Sequence, residues 1–538
     1  MDLAIVGLDG LDPYHVERWR DDLPTLGSRI SSGSFGVLHS SIPPLTVPAW
    51  PTMYTGKQGG KHGVFSFTHE QPDSYEQVPV NYTDVHAESL WEALDAAGLA
   101  CGVVNVPLTH PPARLDHGFV VSGWPAPTDA ELSSDPGVVA DLEADLDGSY
   151  RVNPFPLSVE FDQLDDRELC DAIADGLDHH RRAFCGLLDR RADDLDAFVC
   201  VFMAIDVASH NFAFEPEYLK EIYVEQDRAL AALLERIPDD TNLVVMSDHG
   251  HAVRGEWSFH VNEWLARNGY LAHSQENDGM DVSAVLDRIG LTQERLVALK
   301  NRVGMGAVHE RFPQWVVDWL ATALPRAGRD AREFQPRAVD WSETVAYSAQ
   351  QNLLSLNTED RPEGTVSLEE YEDVRAELVA GLESIAHPER DDASLISDIY
   401  LRAEVFEGPF LEEAPDVVFV ADEMRCNAPM GFSDAVFTPE RWGEHRQEGT
   451  LITSGPAFES LSDSAPLRDI TDVMPLALAL CDAPVPENVD GGLPDERLAV
   501  DLSPTYRESR DEVAPTQRYS TVESDEITTQ LEALGYLE

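Results

Sequence analysis

The amino-acid sequence predicts an α/β fold, a mostly parallel sheet sandwiched between helices. Three apolar, β-rich runs carry this reading. "LAIVGLDG", "LDAFVCVFMAIDVASH" and "TNLVVMSDHGH" each read as a buried strand that delivers an acid to its carboxyl end, the last two adding a histidine. Between the second and third, "EYLKEIYVEQDRALAALLERI" spaces its apolar residues as a helix does and stops before "PDD". In sheets of this kind ligands gather outside the carboxyl ends of the strands. Asp9, Asp206, His210, Asp248 and His249 all fall at such ends.

The remaining elements follow in order. Residues 1–261 form the first part of the α/β core. From 262 to 340 the patterns turn helical, as in "SAVLDRIGLTQERLVALKNRVG" and "FPQWVVDWLATALP", with no strand-ending acids, and predict an inserted helical cap. The second part of the core, 341–503, opens on the strand-like "VAYSAQQNLLSLN", continues through a helix near "YEDVRAELVAGLESI" and includes the apolar run "DVVFVAD". Residues 504–538 are a polar tail ending in a short helix.

The 538 residues carry 38 Lys+Arg against 98 Asp+Glu, a formal net charge of -60, yet 43% are hydrophobic, enough for a large core beneath an acidic skin. The only lysines are Lys57, Lys61, Lys220 and Lys300. Such self-repulsion calls for abundant salt, which screens charge within roughly 3 Å at 1 M. No extended basic face is available for nucleic acid. Six cysteines without a CxxC pair read as buried free thiols. "MDLAIVGLDGLDPY" lacks the basic region of a signal peptide, and no apolar stretch is long enough to span a bilayer, which predicts a cytoplasmic protein.

Carboxylates and imidazoles at strand ends are a ligand set for zinc, and suit manganese or iron as well. Asp206 and His210, four apart, share one face of any helix that starts there. His445 in "GEHRQEGTLITSGP", before another strand-like run, is a further ligand source. Each residue alone has a structural explanation as a cap or a hydrogen-bonded core group; together, at successive strand ends, they point to a metal site. "SIPPLTVPAWPTMYTGKQGGKHGV" adds hydroxyls at Thr46, Thr52 and Thr55 in a Pro- and Gly-rich loop, with Lys57 and Lys61 as loop cations or attractors of an anion. A helix starting after Thr46 would offer backbone N–H groups to an oxyanion.

The set "VGLDG", "PPLTVPAWPTMYTGKQGGKHGVFSF", "IDVASH", "SDHGH" and "EHRQEGTLITSGP", with the late "DITDVMPLALALCDAPVPENVDG", resembles the alkaline phosphatase superfamily, and within it the type I phosphodiesterase/nucleotide pyrophosphatase family. The resemblance implies an alkaline-phosphatase-like fold and two divalent metal ions, zinc first and manganese second. Asp206, His210 and His445 would hold one, and Asp9, Asp248 and His249 the other. Thr46, at the nucleophile position of the family's "TxP", would attack phosphorus and form a phospho-threonine, in preference to Thr52 or Thr55. It implies hydrolysis of a small-molecule phosphate ester, preferentially a phosphodiester or nucleotide pyrophosphate. One departure stands out: relatives place a phosphoryl-contacting Asn where this chain has Phe67 in "HGVFSF". Lys57 and Asn81 are the substitutes offered for that contact, and His62 reads as scaffold.

Competing readings are phosphomonoesterase or phosphonate hydrolase activity on the same core, and a non-catalytic metal-binding relative. A sulfatase would need Cys or Ser with an Arg where "TVPAW" has Thr and Trp.

Overall fold

A computed structural model describes residues 1–71, 74–156, 164–274, 339–390, 393–459, 466–494, 498–500, 502–511 and 519–533. The strands are β1 (Leu3–Leu8), β2 (Ser34–His39), β3 (Thr68–Glu70), β4 (Gln77–Pro79), β5 (Cys101–Val106), β6 (Gly118–Ser122), β7 (Ala197–Phe202), β8 (Asn242–Met246), β9 (Gly250–Phe259), β10 (Ala346–Gln350), β11 (Leu353–Leu356), β12 (Ile396–Leu401), β13 (Val417–Ala421), β14 (Cys426–Asn427), β15 (Phe437–Arg446), β16 (Glu448–Ser454), β17 (Val485–Pro486) and β18 (Tyr506–Arg507).

Seven of them form the main sheet, in the order β2-β16-β8-β1-β7-β5-β6. The pairs β8–β1–β7–β5–β6 are parallel, and β16 runs antiparallel to both β2 and β8. The mostly parallel sheet expected from the strand–helix alternation is therefore present. All six residues of β1, of β5 and of β7 are buried, which requires cover on both faces. Two helix groups supply it. Helices Pro24–Ser32, Asp166–Arg191, Ala204–Phe212 and Pro216–Leu234 pack together, and Thr46–Thr55, Leu90–Ala96 and Val473–Leu480 form a second group. The helix read in "EYLKEIYVEQDRALAALLERI" is Pro216–Leu234, starting on a proline whose missing N–H costs nothing at that position.

The strand-like runs after residue 341 become β10, β11 and β13, but with β12 they pair in a separate, wholly antiparallel sheet, β10-β11-β13-β12. This sheet has its own core, built from Phe259, Trp264, Tyr347, Leu354, Leu378 and Phe419 among others, against which the helix Tyr371–Glu383 contributes Leu378 and Leu382. A three-stranded sheet, β14-β9-β15, carries the chain from β8 outward and brings it back to β16. The C-terminal helix lies at Thr521–Ala533. The helical segments expected at 283–304 and 312–325, within the cap at 262–340, lie outside the described residues. Among the described residues no helix is long and apolar enough to cross a membrane. All six cysteines are buried and free.

Candidate metal centre and threonine helix

The strand ends deliver their polar residues to one buried place. Asp9 follows β1 directly, its N–H continuing the ladder to Phe202 O at 2.9 Å. Asp206 and His210 lie one turn apart on Ala204–Phe212, the helix that begins just after β7. Asp248 and His249 follow β8, and His445 arrives on β15 just before the antiparallel β16. Asp9, Asp206, Asp248, His249 and His445 are all buried, and the His210 side chain is 19% exposed.

Ligand-type atoms converge in two overlapping groups, Asp206, His210, His251 and His445 in one and Asp9, Asp206 and His249 in the other, the atoms of each group lying within 4.8 Å of one another. His445, His251 and His210 bring Nε2 to 3.5, 3.5 and 3.6 Å from the same oxygen, Asp206 Oδ1. His249 Nε2 stands 3.2 Å from Asp248 Oδ2 and 3.7 Å from Asp9 Oδ1. Asp248 Oδ1 accepts the N–H of Gly10 at 3.4 Å. His251, the last residue of "SDHGH", is not among the ligands that the sequence marks. No strand alternation links it to His249, which lies in the bend before β9 begins at Gly250, so only the folded structure brings the two rings to one centre.

Tautomers are set by backbone carbonyls, which can only accept. His210 Nδ1 donates to Gly443 O at 3.1 Å, His445 Nδ1 to Pro44 O at 3.1 Å, and His249 Nδ1 to Gly250 O at 3.2 Å. In their neutral forms all three rings therefore turn a bare Nε2 inward. The Nε2 atoms of His210 and His445 are only 3.1 Å apart. Two such lone pairs cannot bond to each other; a cation between them can use both.

The electrostatics of the protein alone agree. Burial pushes the Asp9 carboxyl well above its ordinary range, with Asp248 and Asp206 adding to the rise. Burial, followed by the charge of Asp206, pushes Asp248 up to about 7. Burial also raises Asp206, but His210, His445 and His251 outweigh it and hold this carboxyl well below the usual carboxylate range. Burial keeps His249 and His251 neutral, each reinforced by neighbouring imidazoles. Burial works against protonation of His445 too, but Asp206 and Glu444 overcome it and raise that ring. Asp9 Oδ1, Asp248 Oδ2 and both ring nitrogens of His251 are buried without a hydrogen-bond partner among the described residues. Buried oxygen and nitrogen acceptors left in this state, beside three carboxylates, are a fit for divalent cations.

The helix Thr46–Thr55 starts at the centre's edge. All ten of its residues are buried, and no side chain caps its N-terminus. Pro48 has no N–H and the Ala49 N–H bonds Leu45 O at 3.0 Å, so the N–H groups of Thr46 and Val47 are the ones at this helix end that favour an anion. Thr46 Oγ1 lies 3.1 Å from His249 Nε2. Thr52 and Thr55 turn away, donating to Pro48 O at 2.9 Å and Pro51 O at 2.6 Å. One turn after Thr46, Trp50 donates Nε1–H to Asp9 Oδ2 at 3.0 Å, fixing that carboxylate with Oδ1 toward His249.

The other expected residues lie elsewhere. Lys57 is 1% exposed and its ammonium bonds both oxygens of Asp511, at 2.6 and 2.7 Å, and Ser509 Oγ at 3.3 Å. Lys61 pairs with Asp490 and with Glu407. Asn81 caps the turn Tyr82–Asp84, its Oδ1 accepting from Thr83 N at 2.9 Å. His62 is buried, with Nδ1 accepting from Val64 N at 3.2 Å and Nε2 3.1 Å from Thr52 Oγ1, a histidine satisfied on both sides. Phe67 is buried in the main core with its ring edge-on to Trp124. A cavity of about 580 Å³ opens beside Pro43, Pro44, Arg254, Tyr400 and Arg446, and a smaller one of about 240 Å³ beside Tyr14, Arg18, His251 and Arg254.

A sheet whose strand ends gather carboxylates and imidazoles around a buried threonine defines the class of a metal-dependent phosphoester hydrolase. The chain belongs to the type I phosphodiesterase / nucleotide pyrophosphatase family, whose model matches residues 3–424. Similar solved structures include the phosphonoacetate hydrolase of Sinorhizobium meliloti 1021 in complex with phosphonoformate, 18% identical, TM-score 0.48, covering 89% of this chain and 96% of that one. Human ectonucleotide pyrophosphatase / phosphodiesterase 5 is 12% identical, TM-score 0.48, covering 91% and 97%. The murine form is 14% identical, TM-score 0.47, covering 91% and 98%. No curated protein sequence matches the chain.

Proposed function

We propose that this chain hydrolyses small-molecule phosphate esters, preferentially phosphodiesters or nucleotide pyrophosphates, through a phospho-threonine formed on Thr46. The observation that carries the reading is which of the three loop threonines faces the Asp/His cluster: Thr46 Oγ1 lies 3.1 Å from His249 Nε2, while Thr52 and Thr55 bond back into their own helix.

Asp206, His210 and His445 would hold one metal, and Asp9, Asp248 and His249 the other, with zinc favoured by the donor set and manganese the second candidate. Bound there, the two ions supply charge that lowers the hydroxyl's pKa and neutralises the phosphoryl oxygens. The chain does the rest. The N-terminal N–H groups of Thr46–Thr55 orient a phosphoryl oxygen. Thr46 Oγ loses its proton and bonds to phosphorus as the bond from phosphorus to the leaving oxygen breaks, and that oxygen takes up a proton as it departs. Water then attacks phosphorus, breaks its bond to Oγ and returns the proton to Thr46. Trp50 keeps Asp9 aimed at the centre throughout. Phe67 cannot replace the Asn expected at its position, so diesters in general are favoured over nucleotides in particular. The composition and six free buried thiols support a reducing, salt-rich cytoplasm as the working compartment.

The test is turnover of bis-p-nitrophenyl phosphate and p-nitrophenyl phosphate at high salt with added zinc or manganese. Thr46→Ala is expected to abolish turnover while metal content stays near normal. Retained turnover removes Thr46 from the nucleophile role, and a folded, metallated wild type that turns over no phosphate or phosphonate ester ends the enzyme reading.

A further inference from the structure

We propose that His251 is a fourth protein ligand of one metal, completing a shell with Asp206, His210 and His445; the inference rests on the metal-dependent reading above. Three histidines stand around Asp206 Oδ1 at nearly equal range, with Nε2 at 3.5, 3.5 and 3.6 Å, and His251 is one of them. Bonds of about 2.0–2.2 Å to a tetrahedral centre place the ligand atoms about 3.3–3.6 Å from one another. The observed separations from Asp206 Oδ1 match that spacing. The rings are arranged to share a point, that of His251 lying 4.3 Å from His210 and 4.9 Å from His445 between centroids, each edge to face at 89° and 82°.

Hydrogen bonding does not explain the burial of His251. It is 2% exposed and neither ring nitrogen has a hydrogen-bond partner among the described residues. Among the described residues His62 has a partner at each nitrogen, and His15, His86, His110 and His180 leave only Nδ1 buried without one, whereas His251 leaves both. A buried imidazole without partners loses its hydration for nothing unless something else uses its lone pair. The backbone also directs it: Gly250 begins β9, and His251, two residues after His249, is held there by its own N–H, which donates to Asp12 Oδ2 at 3.1 Å.

The consequence is a difference between the two metals. With four protein ligands, Asp206, His210, His251 and His445 would hold a metal without calling on a substrate oxygen, whereas Asp9, Asp248 and His249 supply three ligands and would leave room for one.

The experiment uses the full chain, labelled with ¹⁵N-histidine and loaded with ¹¹³Cd at high salt, and reads cadmium coupling at each imidazole Nε2. The expected result is one cadmium coupled to His210, His251 and His445. Coupling to His210 and His445 but not His251 overturns this proposal and leaves the metal reading intact; no coupling to any histidine overturns both. A second arm measures cadmium affinity of folded His251→Ala and His251→Gln by chelator competition. A ligand's removal is expected to weaken one site by more than about 100-fold, beyond the roughly 10- to 100-fold that loss of an outer partner brings. A loss of about 100-fold or less overturns the assignment.

Discussion

Lys57 and Asp511 support a prediction with an asymmetry built in. The ammonium is 1% exposed and held by both oxygens of Asp511, whose side chain is 27% exposed. Removing Asp511 would strand a buried positive charge, for which about 3–5 kcal/mol is typical; water reaching the aspartate's side of the pair puts the expectation near the lower end, about 3 kcal/mol. Removing the charge from Lys57 is a different perturbation. In Lys57→Met the stem still fills its space, and Asp511 keeps Asn488 Nδ2 at 2.7 Å and the Glu88 N–H at 3.2 Å. The desolvation cost of the ammonium, which burial already pushes below its ordinary pKa, disappears with it. The expected change is within about 1 kcal/mol of zero. Denaturant unfolding at fixed high salt measures both variants, and the Lys57→Met enzyme should keep its KM. Equal destabilisation of the two variants would refute the argument. A raised KM in Lys57→Met would return Lys57 to the substrate-binding role first suggested by its place in the loop.

Two further outcomes follow from the centre. Trp50→Phe keeps an aromatic ring but loses the donor to Asp9 Oδ2, and should weaken metal affinity by roughly 10- to 100-fold, read by competition with a chelator. In the chelated protein Asp248 is pushed up to about 7, so the folded state binds more protons than the unfolded chain across the interval above the usual carboxylate range. Stability contributed by that proton is complete at pH below about 4 and is lost as pH rises through about 7, while metal affinity rises over the same interval as the competing proton leaves; titration calorimetry at several pH values, with unfolding of the chelated protein alongside, checks both signs.

Much of the centre was legible because strand ends spell it. Asp9, Asp206, Asp248 and His249 each follow an apolar run, and the i,i+4 step from Asp206 to His210 needs only one helical turn. His445 was visible for a weaker reason, its position before a strand-like run, and nothing local says that it will lie against Pro44, 401 residues earlier. His251 was hidden by its neighbours: it sits at the start of β9, after the bend that carries Asp248 and His249, and local pattern does not say which way its ring turns. Lys57 could not be resolved at all from sequence, because its partner lies 454 residues away in a polar tail with no periodicity. The separate antiparallel sheet was equally hidden, since β10, β11 and β13 look like core strands and periodicity does not say which sheet a strand joins.

The antiparallel insertion of β16 between β2 and β8 bears on how the molecule assembles. β1, β7 and β8 can pair from the first half of the chain, but His445 enters only when a segment beyond residue 437 returns across some 400 residues to dock. Closing so long a loop is expected to come late and slowly in a chain rich in non-local contacts, which the order of amide protection during refolding would check. Until then the carboxylates of Asp9, Asp206 and Asp248 repel one another with one imidazole fewer to offset them. A metal held by Asp206, His210 and His445 would thereby be captured only with the last strand of the main sheet, and would latch the fold as well as serve the proposed chemistry.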